Sequence, residues 1–351
     1  MSLSSKPDSN VPRQRTISLR HVAEAAGVSR MTVSRAFKQE ASINPAVRKK
    51  ILKIAKELGY TPDTMVSELM TSFASRRSIS YQETFAALWW PERWEKAETG
   101  RGFDADIYQG LNEGAQLHGR AIDHLVLTPE MTPRVIMRML LARNIQGVIL
   151  TPPPSAGIKA PELEWDQLCT VIVGSSLREP KFHRAQPGHY IAIVQALETL
   201  QARGYTRPCL LLRSDLEERM LHAYTAAFLA WGNPKEHIWS TDNPASTGLS
   251  HWIKRTKPDV IIADWEDWFQ LIKPEDRACG FISLAVRDPQ SPISGIYENS
   301  IRMAKCAIDL LIRSRLTHEL GQPSEPLLLL TSNTWIEGQS LPSRKPESSL
   351  S

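Results

Sequence analysis

The chain has 351 residues, 42% hydrophobic and 23% charged, an ordinary globular balance over a length that suits two or three domains. No apolar run is long enough to span a bilayer, and the polar start, MSLSSKPDSNVPRQRT, lacks the apolar stretch of a secretory signal. Residues 1–77 carry 14 Lys and Arg against 6 Asp and Glu, a net of +8, while the rest of the chain sums to −4, so a basic, polyanion-seeking head is expected on a mildly acidic body.

The first predicted element is a helix over LRHVAEAA, capped by Ser18, with Leu19, Val22, Ala23 and Ala26 at helical spacing. Gly27 ends it, Val28 turns inward, and Ser29 caps a second helix, RMTVSRAFK. Val33, Ala36 and Phe37 form its inner face. Arg30, Met31, Ser34 and Arg35 fall on its outer side or its N-terminal end. After the loop QEASI, Asn44 caps a third helix and Pro45 takes its first position, where the missing N–H costs nothing. Val47, Ile51, Ile54 or Ala55, and Leu58 predict its buried stripe, and Gly59 its end. Arg48, Lys49, Lys50, Lys53 and Lys56 predict its solvent face.

Two short helices joined by a tight glycine turn, with a third packed across them, make a helix-turn-helix module. The second helix of such a module lies in a major groove, apolar behind and hydrogen-bonding in front. Arg30 and Arg35 suit guanine edges or phosphates, and Ser29, Thr32 and Ser34 suit phosphates.

LRHVAEAAGVSRMTVSRAF followed by INPAVRKKILKIAKELGYTPD resembles the DNA-binding head of the lactose/galactose-repressor (LacI-type) family, including the AxxAGVSxxTVSR pattern and the LGYxP junction. The resemblance implies a homodimer that sets two heads on a pseudo-palindromic operator, with pairing of dimers into tetramers left open. It makes Arg30 and Met31 the first recognition residues and Arg35 a later base- or phosphate-facing one. His21 stands where the family commonly has an acidic residue. The segment DTMVSELMTSFASRRS corresponds to the family's hinge helix, in which Leu69 matches a leucine that wedges into the minor groove. Thr64, Val66 and Glu68 depart from the family's pattern there.

Beyond the hinge, strand and helix alternate. Strands are expected at FAALWW, IDHLVL, GVILTPPP, CTVIVGSS, CLLL, VIIADW and GFISLA, and a final LLLLTSNTWIEGQSL completes the body. Helices are expected at IYQGLNEGAQLHG, PRVIMRMLLARN, IAIVQALETLQARG, ERMLHAYTAAFLAW and SIRMAKCAIDLLIRSR. This alternation means βαβ units and parallel sheets, divided into two lobes with a cleft between them. The fold class is therefore an all-α helix-turn-helix head plus an α/β two-lobed body. IQGVILTPP, the LQARGY junction and TWIEGQSL resemble the periplasmic-binding-protein-like core of the same family. That fold implies three passages of the chain between lobes, near residues 183–189, 294–299 and 317–322.

The expected divisions are a disordered arm over residues 1–17, the DNA-binding domain over 18–62, the hinge over 63–79, an effector-binding and dimerisation domain over 80–340 and a flexible tail over 341–351. Cys169, Cys209, Cys279 and Cys306 are far apart and form no CxxC, which suits scattered thiols in a reducing cytoplasm. GRGFDADIYQG lacks dinucleotide-fingerprint spacing, and no Walker, G-x-S-x-G or HExxH sequence occurs. The sequence thus predicts no enzyme, no cofactor, no metal and no membrane partner. Trp94, Phe103, Asp104, Arg219, Asp264, Trp265, Glu298 and Asn299 are the candidate contacts for a sugar-like effector, supplying aromatic faces and polar groups near strand ends. The expectation is a cytoplasmic, nucleoid-associated transcription regulator, a repressor answering to a small metabolite. The alternatives are a solute-binding transport protein, which needs a signal peptide and does not explain the basic head, and a sugar-processing enzyme with a fused head, which turnover on candidate sugars would expose.

Overall fold

The computed structural model describes residues 19–37, 43–58, 83–100, 102–243, 247–277 and 279–342, with the backbone alone at Leu19, Arg20, Arg30, Met31, Ser34, Arg35 and Thr247. Ser18, Gly59 and the expected arm and hinge, Leu69 included, lie outside the described residues, as does the expected tail from residue 343. The chain divides into two compact units, Met1–Tyr81 and Gln82–Ser351.

The first unit holds helices α1 (Leu19–Ala26), α2 (Arg30–Phe37) and α3 (Pro45–Glu57). Gly27, at φ +69°, makes the left-handed turn after α1. The Ser29 Oγ accepts from the Thr32 N–H at 3.1 Å, and the Asn44 Oδ1 accepts from the Ala46 N–H at 2.9 Å. Both satisfy donors that a helix start leaves unpaired. Val22, Ala23, Ala26, Val33, Ala36, Ile51 and Ala55 are buried together, flanked by Val28, Phe37, Ile54 and Leu58. Val47, expected in the buried stripe, is instead 36% exposed. The buried stripe of α3 begins at Ile51; one turn earlier α2 is met by Arg48, whose Nε donates to the Ala36 carbonyl, rather than by Val47.

The second unit has two lobes, each a sheet between helical layers. In lobe one, β1 (Thr84–Trp89), β2 (Ala121–Val126), β3 (Gly147–Leu150), β4 (Cys169–Val173), β5 (His183–Pro187) and β11 (Leu328–Thr331) lie in the order β11-β5-β4-β3-β1-β2. All their pairings are parallel. In lobe two, β6 (Pro208–Leu212), β7 (Ile238–Ser240), β8 (Val260–Ala263), β9 (Gly280–Ser283), β10 (Gly295–Tyr297) and β12 (Thr334–Ile336) lie in the order β12-β10-β9-β8-β6-β7. Here only β12 runs antiparallel, against β10.

Alternation along β1 shows why each lobe needs two helical layers. Phe85, Ala87 and Trp89 pack with Ile107 and Leu111 of α5 (Phe103–Leu117) and with Met303 and Ile308 of a long C-terminal helix over Ser300–Leu316. Ala86 and Leu88 face the other way, onto Ile136 and Leu140 of α6 (Pro133–Ala142). A parallel sheet buried on both faces reads as a continuous apolar run, as FAALWW does. Lobe two repeats this with α7 (His189–Ala202) and α9 (Ala223–Ala230) on one face. Helices α10 (Thr247–Thr256) and α11 (Trp268–Leu271) take the other.

Several boundaries differ from expectation. The helix expected over residues 218–231 is two: α8 (Ser214–Arg219) and α9, separated by Leu221 and His222, both at φ 57°. The element α4 (Pro91–Glu98), the strands β5, β7 and β10, and helix α10 were not anticipated, being short or polar. The chain passes between lobes at Gly188 and at Glu298–Asn299. Its third passage is at residues 331–334, between β11 and β12, rather than 317–322. The C-terminal helix, α12, packs on lobe one, and the segment after it stays there: the Gly321 N–H bonds to the Leu168 carbonyl at 2.9 Å. The chain adds β11 to that sheet before it leaves.

Candidate nucleic-acid interface and effector cleft

In the head, a network of caps holds α2. Besides capping, the Ser29 hydroxyl lies 2.8 Å from that of Thr32, so these two are engaged with each other at the helix start. Arg30, Met31, Ser34 and Arg35 all lie on α2. Two cations expected on the solvent face of α3 have structural partners. Lys50 donates to the Ala26 carbonyl and Arg48 to the Ala36 carbonyl, each at 3.2 Å. They satisfy carbonyls in the last turns of α1 and α2 and tie all three helices together.

The second site follows from strand order. In both sheets the order reverses beside the first strand, and ligands bind such sheets outside the carboxyl ends of the strands at that reversal. A cavity of about 430 Å³ lies there, between the lobes, within the usual range for small-molecule sites of roughly 300–1,000 Å³. Lobe one lines it from α4, from the start of α5, and from Pro152 and Ser175 just beyond β3 and β4. Lobe two lines it from Arg213 after β6, Asp264 and Trp265 after β8, Ala285 after β9 and Glu298 after β10. The lobes also touch directly: Ala156 N–H donates to Asp215 Oδ1 at 3.3 Å, and Arg178 Nη2 to the Glu218 carbonyl at 2.8 Å.

Of the sequence candidates, Phe103, Asp104, Arg219, Asp264, Trp265 and Glu298 line this cavity, and Trp94 and Asn299 do not. Trp94 sits on α4 beside Arg93, but a helix turns about 100° per residue. Arg93 and Lys96, three apart, share the cleft face. Trp94 instead packs against Trp89, Tyr108 and His124, with ring centroids 5.8, 5.8 and 5.6 Å away. Asn299 adopts φ 50° and caps α12, its Oδ1 accepting from the Arg302 N–H at 3.0 Å.

Three buried carboxylates organise the cleft. Asp104 accepts from Arg93 Nη1 with both oxygens, at 3.3 and 3.1 Å, and Arg93 also donates to the Pro153 carbonyl. Burial raises the Asp104 pKa despite this guanidinium, which pulls the other way. Asp264 accepts from the backbone N–H and Nε of Arg213, at 2.9 and 3.1 Å, and from Trp268 Nε1 at 2.9 Å. Glu298 Oε1 lies 3.1 Å from His189 Nδ1 and 3.3 Å from the Tyr224 hydroxyl. His189 Nε2 is in turn 3.3 Å from Ser175 Oγ. This chain joins lobe one to the first and second passages between lobes. The Trp265 ring lies between two guanidiniums, Arg213 at 5.0 Å and Arg287 at 5.8 Å.

Arg93, Lys96, Ser175, His189, Arg213 and Arg287 were missed by sequence reasoning. For Arg213 a usable signal existed, since it directly follows the buried strand CLLL. For His189 there was none: it opens α7 two residues after β5, and that strand, HRAQP, does not read as one. Among the described residues no group of three His, Cys, Asp or Glu is placed to hold a metal, and no helix is long and apolar enough to cross a membrane. Burial pushes the Cys209 thiol up to about 11, making it an inert core group.

Residues 18–63 match the profile of bacterial regulatory proteins of the lacI family. The chain carries a lacI-family head. The sucrose operon repressor of Shigella flexneri is 29% identical over 191 residues, 54% of each chain, so the alignment spans about half of that relative's length. The regulator AglR of Rhizobium meliloti is 27% identical over 277 residues, 70% of this chain and 68% of its own. Solved structures share the architecture. A CelR–cellobiose complex superposes with a TM-score of 0.52 at 20% identity, covering 92% of this chain and 99% of that one. A lac repressor dimer bound to operator and the anti-inducer ONPF gives 0.53 at 15%, covering 93% and 99%. A lacI-family head thus precedes a body with the two-lobed, periplasmic-binding-protein-like fold of these structures.

Proposed function

We propose that the chain is a sequence-specific transcription regulator, a repressor, that binds a pseudo-palindromic operator as a homodimer and responds to a small sugar-like molecule in its cleft. The observation that carries this reading is the union, in one chain, of a lacI-family helix-turn-helix head with a two-lobed body whose cavity lies at the carboxyl ends of both sheets. The sucrose operon repressor and the CelR–cellobiose complex among its relatives support a sugar-like effector. Regulation, rather than turnover of a substrate, is the activity, and the cytoplasm is where such a protein meets DNA.

In this reading Arg30, Met31, Ser34 and Arg35 face the DNA, and Ser29 and Thr32 set the start of the helix that presents them. Leu69 wedges into the central step of the operator. The effector acts by binding one arrangement of the lobes more tightly than another. It can shift operator affinity only by that difference.

Selection from a random DNA pool by the full-length protein tests the DNA half of the proposal. A two-fold related motif should be enriched. Arg30→Ala should weaken binding to it by about 1–3 kcal/mol and relax one position per half-site, with salt-sensitive non-specific binding retained. Failure to enrich any motif would remove the proposal. For the effector half, a ligand that saturates the cleft should change operator affinity in a gel shift, and an unchanged affinity would refute the regulatory link.

A further inference from the structure

Resting on the reading of the cleft as the effector site, we infer that the effector is an anion: a polyhydroxylated skeleton whose carboxylate or phosphoryl group is held by Arg219 and Lys96, with a hydroxyl donated to Glu298. The inference comes from what the cleft residues leave unsatisfied. Five cationic side chains line the cavity, Arg93, Lys96, Arg213, Arg219 and Arg287, against the carboxylates Asp104, Asp264 and Glu298. Both oxygens of Asp104 go to Arg93, and those of Asp264 are shared between Arg213 and Trp268. Neither carboxylate keeps an oxygen clear of protein partners. Glu298 uses Oε1 on His189 and Tyr224, leaving Oε2 as an acceptor.

The donors are in surplus. Arg219 is 9% exposed, yet its one hydrogen bond runs from Nε to Asp215 Oδ2 at 3.0 Å, leaving both Nη groups unspent. Lys96 Nζ has no ion pair or hydrogen bond among the described residues. A buried guanidinium with a single partner is costly unless more acceptors arrive. Its surroundings show the strain: burial first, then the charge of Arg93 facing it, press the Arg219 pKa below its ordinary value. Arg287, by contrast, is occupied by Glu266 and Asp267.

The placement of these charges also explains how such a ligand would act. Arg93 and Lys96 belong to lobe one and Arg219 to lobe two, so closing the lobes brings like charges together. An anion between them removes that repulsion and supplies the missing acceptors. It would therefore favour the closed arrangement, which is the differential affinity that a switch requires. Phe103 from one lobe, and Leu216 and Met220 from the other, offer apolar faces to the ligand's carbon skeleton.

The test is calorimetric titration of the full-length protein at constant ionic strength with D-gluconate, D-glucuronate and D-glucose 6-phosphate, beside neutral D-glucose, sucrose and cellobiose. At least one anionic probe should bind about tenfold or more tightly than every neutral one. The carboxylate and phosphate arms tell which group is read. Arg219→Gln should weaken that probe by about 10–100-fold and Arg219→Lys by less. Lys96→Gln, at an exposed position that folding does not need, should weaken it several-fold. The inference falls if neutral sugars bind as well as the anions. It falls equally if no anionic probe binds at about 10 mM, or if Lys96→Gln and a folded Arg219→Gln both bind the anion like the parent protein. None of these outcomes touches the operator selection above. Conversely, an anion that binds through Arg219 but leaves operator affinity unchanged upholds the ligand class and refutes the regulatory link.

Discussion

The head and the body are stabilised by different kinds of contact. Among its described residues the head buries seven small or medium side chains, four of them alanine. So small a core leaves much to the helix ends, and Ser29, Asn44, Arg48 and Lys50 all serve there. Its parts lie within forty residues of one another, so nearly every contact is local. The body buries both faces of two sheets, and its decisive contacts join distant segments: α12 near the C-terminus packs on α5, and β11 completes a sheet begun by β1. The comparison teaches that a small helical module depends on its caps, and a layered α/β body on backbone approaches that a single side chain can block.

Gly295→Ala should give the largest effect. Gly295 sits at φ +149°, and a Cβ there would lie 1.9 Å from the Ser283 carbonyl oxygen. Both are sheet backbone, so β9 and β10 would have to part. A loss above about 4 kcal/mol is expected in the body alone. Calorimetry should show the body transition lowered and the head transition unmoved; a shared shift would mean that the two units do not melt separately.

Ile51→Ala should reverse the pattern. It removes the largest fully buried side chain among the described residues of the head, at a cost of about 2–5 kcal/mol, which is enough to unfold so small a module. Operator binding should vanish while ligand binding and the body transition persist. Retained operator binding would mean that the head's core is better supported than its seven described buried residues suggest.

Acid should separate the units again. His124 accepts from Trp89 Nε1 at its Nδ1, at 3.0 Å, so its proton sits on Nε2. Burial lowers its pKa to about 4, with Asp123 opposing. The folded body thus favours the neutral ring. The stability this contributes is present above pH 6.5, the ordinary value, and is lost as pH falls toward 4. The loss should be about 2 kcal/mol after allowance for partial exposure. His124→Gln should flatten the body's stability over that interval, and an unchanged slope would assign it to carboxylates.

The smallest effect expected is that of Lys50→Met. It keeps the apolar stem and deletes the bond to the Ala26 carbonyl, at about 0.5–1.5 kcal/mol. The head transition should fall, whereas the equally conservative Lys53→Met, at a solvated i,i+4 pair with Glu57, should do nothing measurable. Equal effects would show that charge on α3, rather than the cap, is what stabilises the head.

What the sequence determined by itself was whatever local periodicity writes down. The end of α1 and the starts of α2 and α3 follow from Gly27, Ser29, Asn44 and Pro45, because caps and turns act within a few residues of the chain. The alternation of apolar strands with amphipathic helices likewise announced two parallel layered lobes, since a strand buried on both faces has few ways to be written. Tertiary structure decided the rest. HRAQP becomes a strand only because β4 and β11 flank it with ladder partners, a context no local propensity carries. The third passage between lobes moved past residue 322 because α12 packs on lobe one. The cleft shows the same division: Asp264 and Glu298 could be named from strand ends, while a rotation of one residue on α4 put Arg93 in the cleft and Trp94 in the core. The pairing of Arg93 with Asp104, and of His189 with Glu298, joins residues 11 and 109 positions apart. Strand order, which no short stretch of chain contains, brings such groups together, and with them the surplus of positive charge that faces the ligand.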